Sequence, residues 1–167
     1  DRLYKCILRP ALQPNQYSHG CVSGRSILTN VNAHGGNVYV YSADIANCYP
    51  SIRTDKINSL FLRKFRCAPQ VANILTKLCS HRHHLALGLI TSPILANEFL
   101  STVDDRLSRL CKRNDLTYTR FVDDIVISGK FELRNSFIDK IVQRVLSDHG
   151  LHLNAKTAAG RLSDAIP

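Results

Sequence analysis

Three aspartates carry the chemistry that this sequence can do. Asp44 closes the run Val38-Tyr39-Val40-Tyr41, and the adjacent pair Asp123-Asp124 separates two further apolar runs, Leu116 to Val122 and Ile125 to Ser128. Singly, each has an ordinary structural use: Asp44 as an N-cap for the next element, and the pair as a hairpin turn in which Asp bonds its own backbone. Gathered in one place they repel one another, and a hard divalent cation with oxygen ligands is the simplest way to keep them ionised. Mg²⁺ suits such a site. Two ions about 4 Å apart activate an attacking hydroxyl and stabilise a leaving phosphate oxygen, the requirement for making or hydrolysing a phosphodiester. Phe121 and Val122 before the pair, and Ile125 to Ile127 after it, bring two charges into a buried hairpin, an arrangement that is costly without a cation.

Whether the three meet depends on the elements between them. Alternating aromatic and β-branched residues from Val38 to Asp44 predict a first strand. After Pro50 the pattern predicts two helices, over 54–66 with Thr54 as a cap and over 69–79 with Pro69 in the first turn, both inserted beside a sheet. Ser92 and Pro93 open a long helix to about Arg113, in which Leu95, Phe99, Val103, Leu107 and Leu110 recur at three- and four-residue steps. Leu116–Val122 and Ile125–Ser128 read as a tight hairpin turning at Asp123 and Asp124. Phe137, Ile138, Ile141, Val142 and Leu146 mark another amphipathic helix closed by Gly150, and Leu151 to Leu153 begin a last strand. Residues 2–9 read as a short helix, and residues 10–24, with Pro10, Pro14, Gly20 and Gly24, as a loop.

Without the inserted helices, this is the split β-α-β, ferredoxin-like order: an α+β fold whose antiparallel sheet carries its helices on one face. There the first and second strands are parallel, joined by a crossover helix, and the third lies antiparallel between them. The third strand therefore starts where the first ends. Asp44 should meet Asp123 and Asp124 across about eighty residues of sequence.

Composition sets the partner class. The 167 residues suit one domain or two small subdomains sharing a core, and 44% hydrophobic with 21% charged residues is a globular composition. No run is long enough to span a bilayer and no basic start is followed by an apolar stretch and a small-residue cleavage site, so a cytoplasmic protein with no membrane partner is expected. Twenty-two Lys and Arg against thirteen Asp and Glu give +9, which favours nucleic acid through phosphate neutralisation. The six cysteines are too widely spaced for a zinc or redox centre and read as reduced thiols. His81-Arg82-His83-His84 lacks companion ligands and reads as an exposed loop. The chain begins with Asp1 and stops at Ile166 and Pro167 just after an apparent strand, which reads as a fragment.

Three segments share a pattern with a known family. Asp44-Ile45-Ala46-Asn47-Cys48-Tyr49-Pro50-Ser51-Ile52 is similar to an aspartate, a hydrophobic residue, two variable positions, two aromatics, then Pro-Ser-Ile. Gly88-Leu89-Ile90-Thr91-Ser92-Pro93-Ile94-Leu95-Ala96-Asn97 is similar to QGxxTSPxLAN, and Phe121-Val122-Asp123-Asp124 to YxDD. In order and spacing these resemble the reverse transcriptases of bacterial retrons, group II introns and related phage-defence systems. Gly24-Arg25-Ser26 with Asn30 and His34 resembles the family's fingers segment, and Asn154-Ala155-Lys156-Thr157 the segment that closes the palm.

The resemblance implies an RNA-directed DNA polymerase: partial fingers over 1–36, palm over 37–53, inserted helices of fingers or palm over 54–86, palm again over 87–167, and a thumb that should follow Pro167. It implies Asp44 and Asp123 as ligands of two Mg²⁺ ions, with Mn²⁺ as the alternative, helped by the backbone carbonyl of Ile45, and with Asp124 in the same metal site close to the primer end. Tyr49 becomes the steric gate that excludes a 2′-hydroxyl, against the reading of a core aromatic. Arg25 faces the triphosphate, Asn47 and Gly88 line the nucleotide with Ile45, and Lys156 protonates the leaving pyrophosphate. The implied partners are an RNA template, a DNA or RNA primer, dNTPs and a cognate noncoding RNA.

Three positions depart from the pattern. Leu87 stands where a glutamine is usual, Phe121 where the box has tyrosine, and Val31 where an alanine is usual. None removes a metal ligand, so activity is expected, with specialised or template-restricted synthesis. Three other readings remain at this point: a nucleic-acid-binding relic of the same family, an RNA-dependent RNA polymerase, which Tyr49 argues against, and a two-metal nuclease. The last needs a water-positioning base, for which the distant His34 is the one candidate.

Overall fold

A computed structural model describes residues 1–133 and 135–161, so Ile166 and Pro167 lie outside the described residues, as does the side chain of Lys156. After a wide π-helical turn over Leu3–Leu8, the chain runs through α1 (Arg9–Ala11), α2 (Ile27–Asn32), β1 (Tyr39–Ile45) and α3 (Cys48–Ser51). It continues through α4 (Thr54–Arg63), α5 (Pro69–Cys79), β2 (Ser80–His81), β3 (His84–Leu85) and α6 (Ser92–Arg113). The last elements are β4 (Thr117–Phe121), β5 (Asp124–Gly129), α7 (Asn135–Ser147) and β6 (Leu153–Arg161). Two compact units result, one of Asp1–Gln13 with Asn47–Leu100, the other of Pro14–Ala46 with the chain from Ser101 onward.

The first unit is helical. Ile57 and Phe61 of α4, Ala72 and Cys79 of α5, and Leu85 and Leu95 close one apolar core. Pro69 opens α5, where its fixed φ fits and its missing N–H would be unpaired anyway. Two local expectations change. Thr54 is the first helical residue and not the cap; Arg53 holds the cap position without a side-chain bond, and the Thr54 amide donates instead to the His83 carbonyl at 3.1 Å. Residues 81–84, expected as an exposed loop, form a two-stranded ribbon whose turn residues Arg82 and His83 both have positive φ, 47° and 69°. That left-handed turn matches the twist of its flanking strands.

The second unit is the sheet, in the order β4-β5-β1-β6 with every neighbouring pair antiparallel. This is the expected ferredoxin-like arrangement, with β5 between β4 and β1. Tyr41, Ala43 and Ile45 of β1 are buried, while Val40, Ser42 and Asp44 point to the other face. Leu107 of α6, Ile127 of β5 and Val142 of α7 line one apolar cavity of about 320 Å³, which puts both helices on the same side of the sheet. The hairpin differs from expectation by one residue: Val122 and Asp123 make the turn, and Asp124 already belongs to β5. Similarly β6 starts at Leu153, and the buried Leu151 anchors its approach. Among the described residues no helix is long and apolar enough to cross a membrane.

Candidate active site

The strand register brings the acidic residues together. Asp44 lies directly opposite Asp124 across the β1–β5 ladder, and Phe121 of β4 lies opposite Asp124 on its other side. Phe121, Asp124 and Asp44 thus stand in a row on the sheet face away from α6 and α7. The Ile45 amide donates to the Asp123 carbonyl at 3.1 Å, stitching the hairpin turn to the end of β1. On the other flank, the β1–β6 ladder pairs Ala43 with Thr157 and then Ile45 with Leu153. β1 advances two residues while β6 uses four, so β6 bulges opposite Asp44. Within that bulge Asn154 donates from Nδ2 to Asp44 Oδ2 at 3.0 Å. Asn154 orients the Asp44 carboxylate, a role its place in the sequence motif did not reveal.

The turn is held from behind by a buried ion pair. Arg120 and Asp104 are both fully buried; Nε and Nη2 of the guanidinium each donate at 2.8 Å to one oxygen of the carboxylate, and the Tyr118 hydroxyl adds a third bond at 2.7 Å. The remaining end of the fork, Nη1, donates to the Val122 carbonyl. Val122 sits at φ 59°, an uncommon conformation for a β-branched residue. Residues 17–19 run beside β4, with the Arg120 amide bonded to the Tyr17 carbonyl at 2.8 Å and the His19 amide to the Arg120 carbonyl at 2.7 Å. Where that segment reaches Gly20, a Cβ would lie 2.2 Å from the Val122 nitrogen, so only glycine lets the two backbones meet.

The electrostatics follow from this crowding. Desolvation, then the charges of Asp123 and Asp44, hold the Asp124 carboxyl above the ordinary carboxylate range. Among the described residues none of the three carboxylates has a Lys or Arg ion partner. Nor do three His, Cys, Asp or Glu side chains converge as a closed ligand set among those residues. Expectation and structure differ here in degree: the carboxylates are adjacent, and Asp124 is exposed instead of sunk in an apolar hairpin. Acidic oxygens without counter-charge at an open edge fit Mg²⁺, which binds through one or two carboxylates and completes its shell with water and phosphate oxygens.

The other expected site residues lie elsewhere. Arg25 is half-buried in the sheet unit and donates from Nη1 to the carbonyls of Asn15, at 2.7 Å, and Ser18, so part of its fork braces the 15–25 loop. Lys156 belongs to the β6 bulge by its backbone. Asn47, Tyr49 and Gly88 belong to the helical unit. Asn47 takes a left-handed conformation, φ 46°, at the start of α3. Tyr49 is half-buried against the apolar core, Gly88 has φ 82°, and the neighbouring Leu87 is 71% exposed. His34 is buried on the sheet face that carries the carboxylates, its Nδ1 2.6 Å from Ser128 Oγ and its Nε2 2.7 Å from Thr119 Oγ1. Burial first, and the charge of His19 second, lower its pKa to about 4. This imidazole clamps β4 to β5 and is no water-positioning base, which removes the one base candidate of the nuclease reading.

Comparison with known proteins gives the same direction. The sequence profile described as "Reverse transcriptase (RNA-dependent DNA polymerase)" matches residues 1–160. The chain is 32% identical over 135 residues to the Retron Se72 reverse transcriptase of Salmonella heidelberg, covering 81% of this chain and 35% of that protein. It is 27% identical to the Retron Ec86 reverse transcriptase of Escherichia coli, covering 87% of this chain and 45% of that one. The chain thus spans less than half the length of these curated relatives. Among solved structures, telomerase from Candida tropicalis in complex with a TWJ fragment of telomeric RNA superposes with a TM-score of 0.57 at 15% identity, over 96% of this chain and 31% of that one. At that identity the likeness concerns the fold.

Proposed function

This chain belongs to the reverse transcriptase (RNA-dependent DNA polymerase) family, and from that premise we propose that it carries the catalytic centre of a retron-type enzyme, which extends a primer 3′-hydroxyl with dNTPs on an RNA template. The observation that carries the reading is the register of Asp44 opposite Asp124 with the Asp123 turn bonded to Ile45. Residues 37–53 and 87–167 act as palm, 1–36 as partial fingers, and 54–86 as inserted helices of fingers or palm. A cognate noncoding RNA is the template partner in this reading.

Asp44 and Asp123, with the Ile45 carbonyl, would hold two Mg²⁺ ions, and Asp124 would stand beside the primer end. Bound there, the ions supply an activated 3′-hydroxyl and charge stabilisation for the departing phosphate oxygens. The chain's own residues do the rest. Asn154 keeps one Asp44 oxygen oriented. The Tyr49 ring closes the space beside the sugar and excludes a 2′-hydroxyl, so the product is DNA. Gly88 and Asn47 let backbone approach the nucleotide, the free end of the Arg25 fork meets its phosphates, and Lys156 returns a proton to the leaving pyrophosphate.

Primer extension by the full protein on an RNA template tests this directly. Extension should require Mg²⁺ and be abolished in Asp123→Asn, while Tyr49→Ala should admit ribonucleotides. Unchanged extension by Asp123→Asn would remove the metal assignment, and a folded, template-binding wild type that incorporates no nucleotide would favour the relic.

A further inference from the structure

The positive charge of this chain is concentrated in one stretch of its sequence. Between Arg53 and Arg82 lie seven Lys or Arg residues and a single acidic one, Asp55, so this stretch carries +6 of the chain's +9. All seven cations are exposed. Arg53 pairs with Asp55 and Lys64 with Glu98; the other five have no acidic partner among the described residues. A charge excess with so few internal partners is a standing attraction for a polyanion.

Within this stretch the helical unit forms a cleft of about 580 Å³, bounded by α4, α5 and the tip of the β2–β3 ribbon, with Asp55, the ion partner of Arg53, among its lining residues. Lys77, Arg82 and His83 supply its basic rim, and Asn58, Asn73 and Ser80 line it. Asn58 spends its Nδ2 on Asn73 Oδ1 at 2.9 Å and Thr76 Oγ1 at 3.3 Å. That leaves Asn58 Oδ1 as acceptor and Asn73 Nδ2 as donor, both without a protein partner among the described residues. The positive φ at both Arg82 and His83 defines a tight turn that would suit Asn-Gly better and instead sets two basic side chains at the rim.

We propose that this cleft is a second nucleic-acid site, which holds the sugar-phosphate backbone of a structured RNA at a distance in sequence from the reacting ends. Cations spaced along a rim neutralise successive phosphates and release their counterions. A carboxamide pair offering one donor and one acceptor matches a ribose 2′-hydroxyl, which is both, and deoxyribose lacks it. The site uses residues of the helical unit alone and stands whether or not the carboxylates catalyse.

The test is fluorescence anisotropy of the full protein with a short RNA hairpin and the DNA hairpin of equal sequence, in EDTA so that metal-dependent binding is absent, across a salt series. The double variant Lys77→Gln/Arg82→Gln should weaken RNA binding and reduce the slope of log affinity against log salt by between one and two units. Asn73→Ala should keep the slope and lose the preference for RNA over DNA. Arg109→Gln/Arg144→Gln, which removes the same net charge from exposed positions of the sheet unit, should change neither. The proposal is overturned by an unchanged slope in the first variant, by an equal loss in the control, or by an RNA preference that is absent or indifferent to Asn73.

Discussion

Arg120 grips Val122: the guanidinium that forms the buried pair with Asp104 also donates to the carbonyl of the residue just before Asp123. A side chain wholly inside the core thereby fixes the backbone that presents a candidate metal ligand. The position of Asp123 depends on how the core is wired as well as on the strand ends.

Removing half of that pair should be expensive. Arg120→Ala leaves the Asp104 charge buried and unpaired, and is expected to cost about 3–5 kcal/mol in urea unfolding. The double variant Asp104→Leu/Arg120→Met should recover most of that stability, because two apolar side chains of similar volume replace the charges. It should not recover primer extension, since nothing then holds the Val122 carbonyl. Full activity in the double variant would reduce Arg120 to a packing residue.

Asp124 makes the opposite contribution. Its folded pKa is raised, so the native state prefers the protonated form, and the penalty appears as pH rises through that value and vanishes below the ordinary carboxylate range. Asp124→Asn should therefore melt higher than the wild type at about pH 7, with the difference closing by about pH 3. Added Mg²⁺ should raise the wild-type melting temperature by relieving the same repulsion. A melting curve of Asp44→Asn that responds to Mg²⁺ as the wild type does would place the ion elsewhere.

His34 has the sign of a base whose folded pKa is depressed. The stability it confers is complete above its unfolded value near 6.5 and drains away as pH falls through the folded value of about 4, roughly 3 kcal/mol in all. NMR titration of its ring should show a midpoint near 4, and urea unfolding should weaken with falling pH across that window. A midpoint near the ordinary value would mean that the clamp between Ser128 and Thr119 is open in solution.

The parts of this molecule that obey a period could be read from the sequence. Alternation marked β1 with Asp44 near its end, three- and four-residue spacing marked α6 from Ser92 to Arg113, and strand order then placed Asp44 beside Asp124. Contacts between residues distant in sequence could not be read so. Arg120 looks like any surface arginine until one notes that it shares the inward face of β4 with Tyr118, and that Asp104 interrupts the apolar stripe of α6 between Val103 and Leu107. Thr54 offers a side chain suited to a cap, yet the ribbon satisfies the helix start through His83, which no local pattern reports. His34 carried a motif, and its work as a clamp came into view only with its two hydroxyl partners.

The bulge in β6 has a second effect. Among the described residues β6 is the outermost strand on its side of the sheet, and a straight outer strand offers a regular row of amides and carbonyls to any passing chain. Two surplus residues opposite Asp44 break the spacing of that row. A visiting strand finds no continuous match, and the same distortion that seats Asn154 on a carboxylate guards the rim against aggregation.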